Sequence, residues 1–401
     1  MSSTDEQYSS IVYSSSSSSF DWSELVPVLV IYGFSFVLGL TGNCLIIFTT
    51  FRYRRMHSVT NVFLSSLASS DLLLIIFCIP VKVAKLFSFT WTMGWILCKS
   101  VHYMQNLSTI CSVLTLTAIS IERYYAIVHP VKSKYICTLR QAKSIILVIW
   151  IMSVILSVPT AIVWVQMPVG VDNELFWCSK DENNMILWKI HEIYLLTLVL
   201  IIPFSIMAYS YTFICYEVWK VMEHRVVMTN NSAFKNPVTY DQNAVCLAKN
   251  GQQSKESKKS RSQIKNYRDD ANTVKQVIYM LVIVVVLFAI CWTPALVDNI
   301  LTAYGVLTQE RSGFLKYMLT TFHLLSYSNS CINPIIYGFM SKTFRESFKL
   351  ALCCSSDSKE YIRRTGSNYS MRFISRNSSQ TRTTPETRRQ ERTLLCVTQS
   401  V

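Results

Sequence analysis

The sequence predicts an all-α membrane protein, a bundle of seven transmembrane helices with a short amphipathic eighth helix after them. The first observation behind this prediction is a set of six uncharged runs, each of about 20 residues or more, the length that crosses a ~30 Å hydrocarbon core. The second is a seventh apolar run, 62–81, which contains a single acid, Asp71. The six uncharged runs cover 26–51, 100–121, 144–171, 193–216, 276–297 and 317–341.

The basic residues predict which side of the membrane each segment occupies, because Lys and Arg concentrate in cytoplasmic loops. Residues 1–24 contain neither, whereas Arg52, Arg54 and Arg55 come after the first run and further basic residues fall in 217–275 and 341–401. We therefore expect a multi-pass protein of the plasma membrane with an extracellular N terminus. The net charge of +14 is explained by this bias and by attraction to anionic membrane lipid, so nucleic-acid binding is disfavoured.

Composition divides the chain into three regions. Residues 1–24 are acidic and carry a serine run at 14–19, which predicts a disordered extracellular N terminus. Residues 25–354 hold the seven predicted helices, with a long polar cytoplasmic third loop at 222–270. Residues 355–401 carry scattered Ser, Thr and Arg and predict a disordered cytoplasmic tail that kinases and other partners can reach.

The thirteen cysteines predict one disulfide rather than a disulfide framework. On this topology, only Cys98 and Cys178 fall on the oxidising side of the membrane, so we expect these two to pair. Cys353 and Cys354 come after the short amphipathic stretch 344–348, separated from it by four residues, and thiols so close to the membrane suit palmitoylation. Two unmodified thiols are the alternative there.

Asp71 requires an explanation because a charge at the middle of a membrane is costly. Polar residues of other runs fall at a similar depth, and a carboxylate with convergent hydroxyl and amide groups suits a hard cation such as sodium, bound as an allosteric ion. A hydrogen-bonded cluster that only specifies helix packing is the alternative. We expect no other cofactor. The accompanying residues are Asn43, Ser112, Asn329, Ser330 and Asn333.

Each predicted helix also carries its own short motif. Together, over roughly residues 25–354, these motifs resemble the rhodopsin-like (class A) G-protein-coupled receptors. In chain order they are Gly42-Asn43, Ser70-Asp71-Leu72, Glu122-Arg123-Tyr124, Trp150, Pro203 with Tyr211, Cys291-Trp292-Thr293-Pro294 and Asn333-Pro334-Ile335-Ile336-Tyr337.

The resemblance implies a switch that signals to a heterotrimeric G-protein, with arrestin and receptor kinases as further partners. Glu122 would hold Arg123 in the inactive state. Arg123 would then turn to meet Tyr211, Tyr337 and the G-protein when the sixth helix swings outward. Val274 departs from the family pattern, because many members place an acid there opposite the arginine, and its absence would raise basal activity. The remaining switch residues are Phe288, Trp292, Pro294 and Pro334.

The resemblance also narrows the ligand class. An amine receptor would need an acid in place of Gln105, and an opsin would need a lysine in the seventh run, so both are disfavoured. Four residues match outer-pocket positions of peptide receptors similar to the orexin, allatotropin and RFamide types, which implies an extracellular peptide whose C terminus, if amidated, could hydrogen-bond Gln105. Each alone is also compatible with polar packing. The four are Gln105, Asn299, His323 and Tyr327.

Two further features bear on function. Acidic residues in the predicted outer segments would steer a basic ligand, although solvated surface charge explains them equally well. A secondary transporter is the main alternative, because it too uses a mid-membrane acid and interrupted helices, but its paired repeats are missing here. The sequence does not predict an enzyme, since no pair of catalytic acids and no Ser/His pair falls at membrane depth.

Overall fold

A computed structural model of the protein describes residues 22–88, 90–169, 175–234, 253–308, 311 and 313–352, without the side chains of Arg55 and of 221–274. The chain divides into two compact units, 1–347 and 348–401. Of the second unit, only the five residues 348–352 are described, and they end the last helix. The predicted disorder of 355–401 and the predicted lipidation of Cys353 and Cys354 therefore lie outside the described residues. So does the predicted disorder of 1–24, except for residues 22–24, which begin the first helix.

The described residues form nine helices and one β-hairpin, and seven of the helices correspond to the predicted spans. Two of these, α2 and α6, contain a π-helical turn. The elements are α1 (Trp22–Arg52), α2 (Val59–Leu86), α3 (Gly94–Val128), α4 (Pro130–Ile136), α5 (Leu139–Val163), β1 (Trp164–Val169), β2 (Leu175–Lys180), α6 (Met185–Leu196, Thr197–Ile201 and Ile202–Phe234), α7 (Gln253–Ala303), α8 (Gly313–Met340) and α9 (Lys342–Leu352).

Six of these helices are long and apolar enough to cross a membrane, namely α1, α2, α3, α5, α6 and α7 among the residues described. The seventh predicted span is α8, which at 28 residues is also long enough. It is less apolar because it buries a row of polar side chains inside the bundle, including Ser326, Asn329, Ser330 and Asn333. The all-α membrane fold is thus confirmed, and the described residues add the hairpin and the short helix α4, which the sequence analysis did not predict.

The π turns explain how α2 and α6 each tolerate a proline. In α2 the turn Leu74–Cys78 precedes Pro80, and in α6 the turn Thr197–Ile201 precedes Pro203. A proline ring clashes with the carbonyl one turn earlier, and a wider turn relieves that clash. Each π turn also shifts the helix register, so residues beyond it face a direction that a regular helix would not give them.

The helices pack as a closed bundle around α3. α1 contacts α2 and α8, and α8 contacts α7, which contacts α6. α3 contacts α2, α5 and α6. The close approach of α1 to α8 depends on Gly42, where an added Cβ would lie only 2.6 Å from the Pro334 ring. This contact places the Gly42-Asn43 motif of α1 directly against the motif of α8 that contains Pro334.

Helices α6 and α7 extend into the region predicted as the third loop. α6 continues to Phe234 and α7 begins at Gln253, so helix covers both ends of the predicted loop 222–270. The polar residues there include many Lys, Glu, Gln and Arg, which are good helix formers even without an apolar face. Low hydrophobicity therefore marks the end of membrane burial there, not the end of the helix.

The hairpin β1–β2 lies at one end of the bundle, which we call the disulfide end. Its strands are antiparallel, with Gln166 opposite Cys178. Cys178 forms a disulfide with Cys98 near the start of α3. The backbone N–H of Trp91, in the segment before α3, donates to the Phe176 carbonyl over 2.7 Å. These bonds attach the hairpin to α3 in a fixed position.

Candidate functional site

The disulfide Cys98–Cys178 confirms the predicted pairing. The two Cα atoms lie 5.6 Å apart, within the normal range for a disulfide, although 80 residues separate them in sequence. The bridge ties β2 to α3. It thus fixes a strand that forms one wall of a cavity beneath the hairpin.

This cavity, of about 780 Å³, opens between α2, α3, α6, α7 and α8. That volume falls in the range of ligand pockets, roughly 300–1,000 Å³. Of the four predicted ligand-binding residues, Gln105, Asn299 and His323 line it. The fourth, Tyr327, is buried and donates its phenol proton to Gln105 Oε1 over 2.7 Å. The fold therefore brings all four to one site, from α3, α7 and α8.

A buried polar network forms another part of the cavity wall. Lys180 of β2 makes an ion pair with Glu192 of α6 at 2.8 Å and donates to Asn299 Oδ1 over 3.2 Å. Its ammonium also lies 5.6 Å from the ring centroid of Trp188. His191 lies 3.1 Å from Glu192 through Nδ1. This network joins the hairpin to α6 and α7, and no sequence pattern predicts it.

Two further cations of the cavity are also absent from the sequence-based prediction. Lys82 and Lys85 lie on the last turns of α2 and line the cavity. The second apolar run ends at residue 81, so the sequence places both lysines beyond the predicted span. Their spacing of three residues, which puts both on one helix face, is the signal that could have found them. The π turn before them sets which way that face points.

A series of aromatic side chains leads from the cavity into the bundle. Trp292 of α7 lines it, and its ring centroid lies 6.2 Å from that of Phe288, one turn earlier in the same helix. Phe288 lies 6.3 Å from Phe204 of α6. Pro294 is inside α7, two residues from Trp292, where a proline weakens the helix hydrogen bonding. The predicted switch residues of α7 therefore lie between the cavity and the far half of the bundle.

Asp71 lies in the middle of the bundle and is 1% exposed. Its carboxylate accepts hydrogen bonds from Ser330 Oγ and from Asn333 Nδ2, both at 2.8 Å. Asn43 donates to the backbone carbonyl of Ser330 over 2.8 Å, while its own Oδ1 is buried with no hydrogen-bond partner among the described residues. A buried oxygen atom without a donor is unusual, and a bound cation would satisfy it.

The other two predicted members of this cluster are less directly placed. Ser112 of α3 hydrogen-bonds Ser70, the neighbour of Asp71, with 2.9 Å between the two hydroxyl oxygens. Asn329 is buried on α8, one residue before Ser330. Ser112 thus reaches the cluster through Ser70, and no described contact joins Asn329 to the Asp71 carboxylate.

The Glu122–Arg123 pair lies at the end of α3 away from the hairpin. Both carboxylate oxygens of Glu122 accept from the Arg123 guanidinium, and Thr60 of α2 donates to Oε2 over 3.3 Å. The Tyr211 hydroxyl accepts from Ser120 over 3.2 Å. No hydrogen bond joins Arg123 to either predicted tyrosine partner within the described residues.

Tyr337 of α8 is the second tyrosine predicted for the switch. It is 1% exposed, and its hydroxyl has no hydrogen-bond partner among the described residues. Its ring stacks on Phe344 of α9, with centroids 5.8 Å apart. Pro334 lies one turn earlier in α8 and contacts α1 at Gly42. The Val274 side chain lies outside the described residues.

Comparison with known proteins agrees with this arrangement. A family model described as "7 transmembrane receptor (rhodopsin family)" matches residues 42–337, about three quarters of the chain. The chain belongs to the rhodopsin family of seven-transmembrane receptors. Membership confirms the predicted family and the interpretation of α8 as a seventh span. Since members are signalling receptors, it also confirms that the protein is not an enzyme, and it does not support the transporter alternative.

Several curated relatives share most of this receptor's length. A QRFP-like peptide receptor of Branchiostoma floridae is 31% identical over 334 residues, which covers 81% of this chain and 77% of the relative. The pyroglutamylated RF-amide peptide receptor of Rattus norvegicus is 30% identical, covering 79% and 68%. The cholecystokinin receptor type A of Homo sapiens is 32% identical, covering 83% and 82%.

Proposed function

We propose that this receptor binds an extracellular peptide at the plasma membrane and transmits binding to a heterotrimeric G-protein. The observation that carries the proposal is the cavity beneath the hairpin, which gathers Gln105, Asn299 and His323 into one site. A cavity of about 780 Å³ accommodates a few peptide side chains, and it is wide enough for one end of a peptide rather than the whole. Relatives that match most of the chain are named as peptide receptors, which supports the same ligand class.

The proposed orientation places the disulfide end outside the cell. A disulfide forms and persists in an oxidising compartment, which favours the extracellular side for Cys98 and Cys178. The opposite end carries the basic residues Arg52, which ends α1, and Arg54, which follows it, as well as Lys132 and Lys134 in α4. Basic residues favour the cytoplasmic side. The Glu122–Arg123 pair would then face the G-protein.

In the proposed mechanism, ligand binding shifts a balance between two states of the bundle. In the resting arrangement, Glu122 satisfies the Arg123 guanidinium. A ligand that displaces Trp292 at the inner end of the cavity would favour a swing of α7 at Pro294. A ligand shifts an equilibrium only through contacts that differ between the two states, and the Trp292 contact would be such a contact. Tyr337, whose hydroxyl has no hydrogen-bond partner among the described residues, is a suitable new partner for Arg123 in the signalling state.

We also propose that the Asp71 cluster holds a sodium ion that favours the resting state. Carboxylate, hydroxyl and amide oxygens are the ligand types that a hard cation prefers. Asp71 supplies the charge, and the free Oδ1 of Asn43 and the hydroxyls of Ser330 and Ser112 supply neutral oxygens nearby. The ion would offset the cost of an isolated carboxylate at this depth.

The cytoplasmic partners of the tail are part of the same proposal. Residues 355–401 hold serines and threonines that receptor kinases could phosphorylate and arrestin could then bind. Cys353 and Cys354 come directly after α9 and would anchor its end in membrane lipid if palmitoylated. Both features lie outside the described residues and rest on the sequence.

The test is a functional screen on cells that express the full chain. Synthetic neuropeptides, with free and with amidated C termini, are applied singly while intracellular calcium, cyclic AMP and G-protein dissociation are recorded. We expect at least one peptide to evoke a response that mock-transfected cells lack and that the Cys98→Ser variant loses. Arg123→Ala, matched for surface expression, separates binding from signalling. If no peptide evokes a response in cells that display the receptor at the surface, the peptide assignment is wrong.

A further inference from the structure

The cavity contains positive charges that are not paired with an acid in an ion pair. Four Lys or Arg side chains and three acids line it. Two of the bases are already neutralised, because Lys180 pairs with Glu192 and Arg311 pairs with Asp298. The three charged groups that remain are Lys82, Lys85 and Glu182.

Lys82 and Lys85 form one cationic wall of the cavity on α2. Neither has a hydrogen bond or an ion pair among the described residues, and they are three residues apart in the same helix. Glu182 does not neutralise them, because it lies in the short 3₁₀ turn between β2 and α6 and makes no ion pair with them. Lysines near a helix end often extend to the membrane surface, but these two border the cavity instead.

The side chains that face the two lysines do not offset their charge. His102 of α3 and His323 of α8 line the same region and lie within electrostatic range of both lysines. The His102 ring is stacked on Trp164 of β1, with centroids 3.3 Å apart. A cation entering here would meet two lysines whose charge no described acid pairs with. An anion would meet two donors that have no other described partner.

We infer that Lys82 and Lys85 bind a carboxylate of the peptide ligand, so that the cavity selects acidic peptides. Lys82 is half-buried and Lys85 is exposed, and both line the cavity without an acid partner among the described residues, so their ammonium groups are available to an anionic group of the ligand. Two ammonium groups three residues apart on one helix face can both donate to a single carboxylate. The carboxylate belongs either to an Asp or Glu side chain or to a free C terminus.

This inference rests on the proposed peptide-receptor function and reverses one sequence-based expectation. Acids of the outer segments suggested a basic ligand. Of those acids, Asp172 and Glu174 lie outside the described residues, and Asp181 caps the turn after β2 by accepting from the Asn183 N–H over 3.0 Å. Glu182, which follows Asp181, does line the cavity, but it is exposed. The charged residues that α2 contributes to the cavity, Lys82 and Lys85, are both positive.

The test selects peptides on the purified full-length receptor in lipid nanodiscs. Two libraries of random synthetic hexapeptides, one amidated and one with free C termini, are incubated with the receptor, and the bound peptides are identified by mass spectrometry. We expect bound peptides of the amidated library to be enriched in Asp and Glu, if a side chain supplies the carboxylate. If peptides are recovered only from the library with free C termini, and they show no enrichment in Asp or Glu, the carboxylate belongs to the C terminus. Both outcomes support the inference.

Variants decide whether the two lysines cause the preference. In Lys82→Gln/Lys85→Gln we expect the acidic preference to disappear and the affinity of the selected acidic peptides to fall roughly tenfold or more, as loss of a charged hydrogen bond implies. Lys82→Arg/Lys85→Arg should retain the preference, which separates charge from misfolding. Lys189→Gln is the matched control, because Lys189 lies over the Tyr304 ring and does not line the cavity.

The remaining outcomes separate this inference from the proposed function. Bound peptides that are neutral or basic, and whose affinity is unchanged in the double glutamine variant, overturn the inference while leaving the receptor a peptide receptor. Recovery of no peptide above empty nanodiscs overturns both.

Discussion

The Tyr327 hydroxyl of α8 donates a hydrogen bond to Gln105 Oε1 of α3 over 2.7 Å. This bond joins two residues that are 222 positions apart, of which Gln105 lines the cavity and Tyr327 is buried beside it. Because the amide oxygen of Gln105 is engaged, its NH₂ group is directed elsewhere and is left to donate to a ligand. In the proposed receptor, Tyr327 would therefore act on the ligand by orienting Gln105.

The Tyr327→Phe substitution tests this orienting role. A neutral hydrogen bond contributes about 1 kcal/mol, so we expect peptide affinity to fall by roughly fivefold. Saturation binding of a labelled peptide agonist measures the change. Tyr103→Phe is the control, because Tyr103 donates to the Val154 carbonyl of α5 and does not line the cavity. Equal losses in the two variants would make the effect one of general packing.

The Glu122→Gln substitution should raise basal signalling. It removes the charge that holds Arg123 at rest while leaving the acceptor of the signalling state intact. Loss of a charge-assisted hydrogen bond, about 1.5–3 kcal/mol, shifts the balance between the two states tenfold or more. G-protein activation without agonist is measured at matched surface expression. Glu24→Gln, which removes an acid at the other end of the bundle, should leave it unchanged.

The Arg123→Ala substitution should abolish signalling and preserve ligand binding. Arg123 lies 18 residues beyond Gln105 on α3, about 27 Å at 1.5 Å per residue, so the cavity is out of its reach. Agonist binding and G-protein activation are measured on the same membranes. Arg140→Ala removes an exposed arginine from the same side and should signal normally. A full agonist response in Arg123→Ala would leave the arginine as a topological anchor.

The Asp71→Asn substitution should abolish any effect of sodium on agonist affinity. If an ion bound at Asp71 favours the resting state, then sodium lowers agonist affinity in the wild type, and removing the carboxylate removes that effect. Agonist affinity is measured in sodium chloride and in choline chloride at equal ionic strength. A sodium effect of unchanged size in the variant places the ion elsewhere.

The Lys180–Glu192 pair should contribute to stability in a non-additive way. Because both side chains are buried, Lys180→Met or Glu192→Gln alone leaves one charge without its partner, and each should destabilise the receptor by about 3 kcal/mol or more. The double variant should lose less than the sum. Thermal unfolding of the purified receptor measures this. The more exposed pair Lys316–Glu24 is the control, for which single losses should stay under about 1 kcal/mol. Strict additivity at Lys180 and Glu192 would show that the pair is not coupled.

The sequence by itself determined the membrane class, the seven spans and the disulfide, and it predicts the switch pair. Each of these depends on a local property: run length, the positions of charges and cysteines, or a short motif such as Glu122-Arg123. Even α8, which is too polar to be identified by hydropathy in the described structure, is recognisable because its run is uncharged. The helical ends of the third loop escape prediction because apolarity reports membrane burial and not helix length.

Only the tertiary structure decided what the cavity contains. Lys180, Glu192 and Asn299 come from β2, α6 and α7, and no spacing within one segment reveals that they meet. Lys82 is harder still, because the π turn Leu74–Cys78 adds a residue to the helix and rotates everything after it by about 100°. A side chain that a regular helix would place elsewhere thus lines the cavity. Charge pairing is a property of positions in space, so the unpaired lysines emerge only once every other charge of the cavity has been placed.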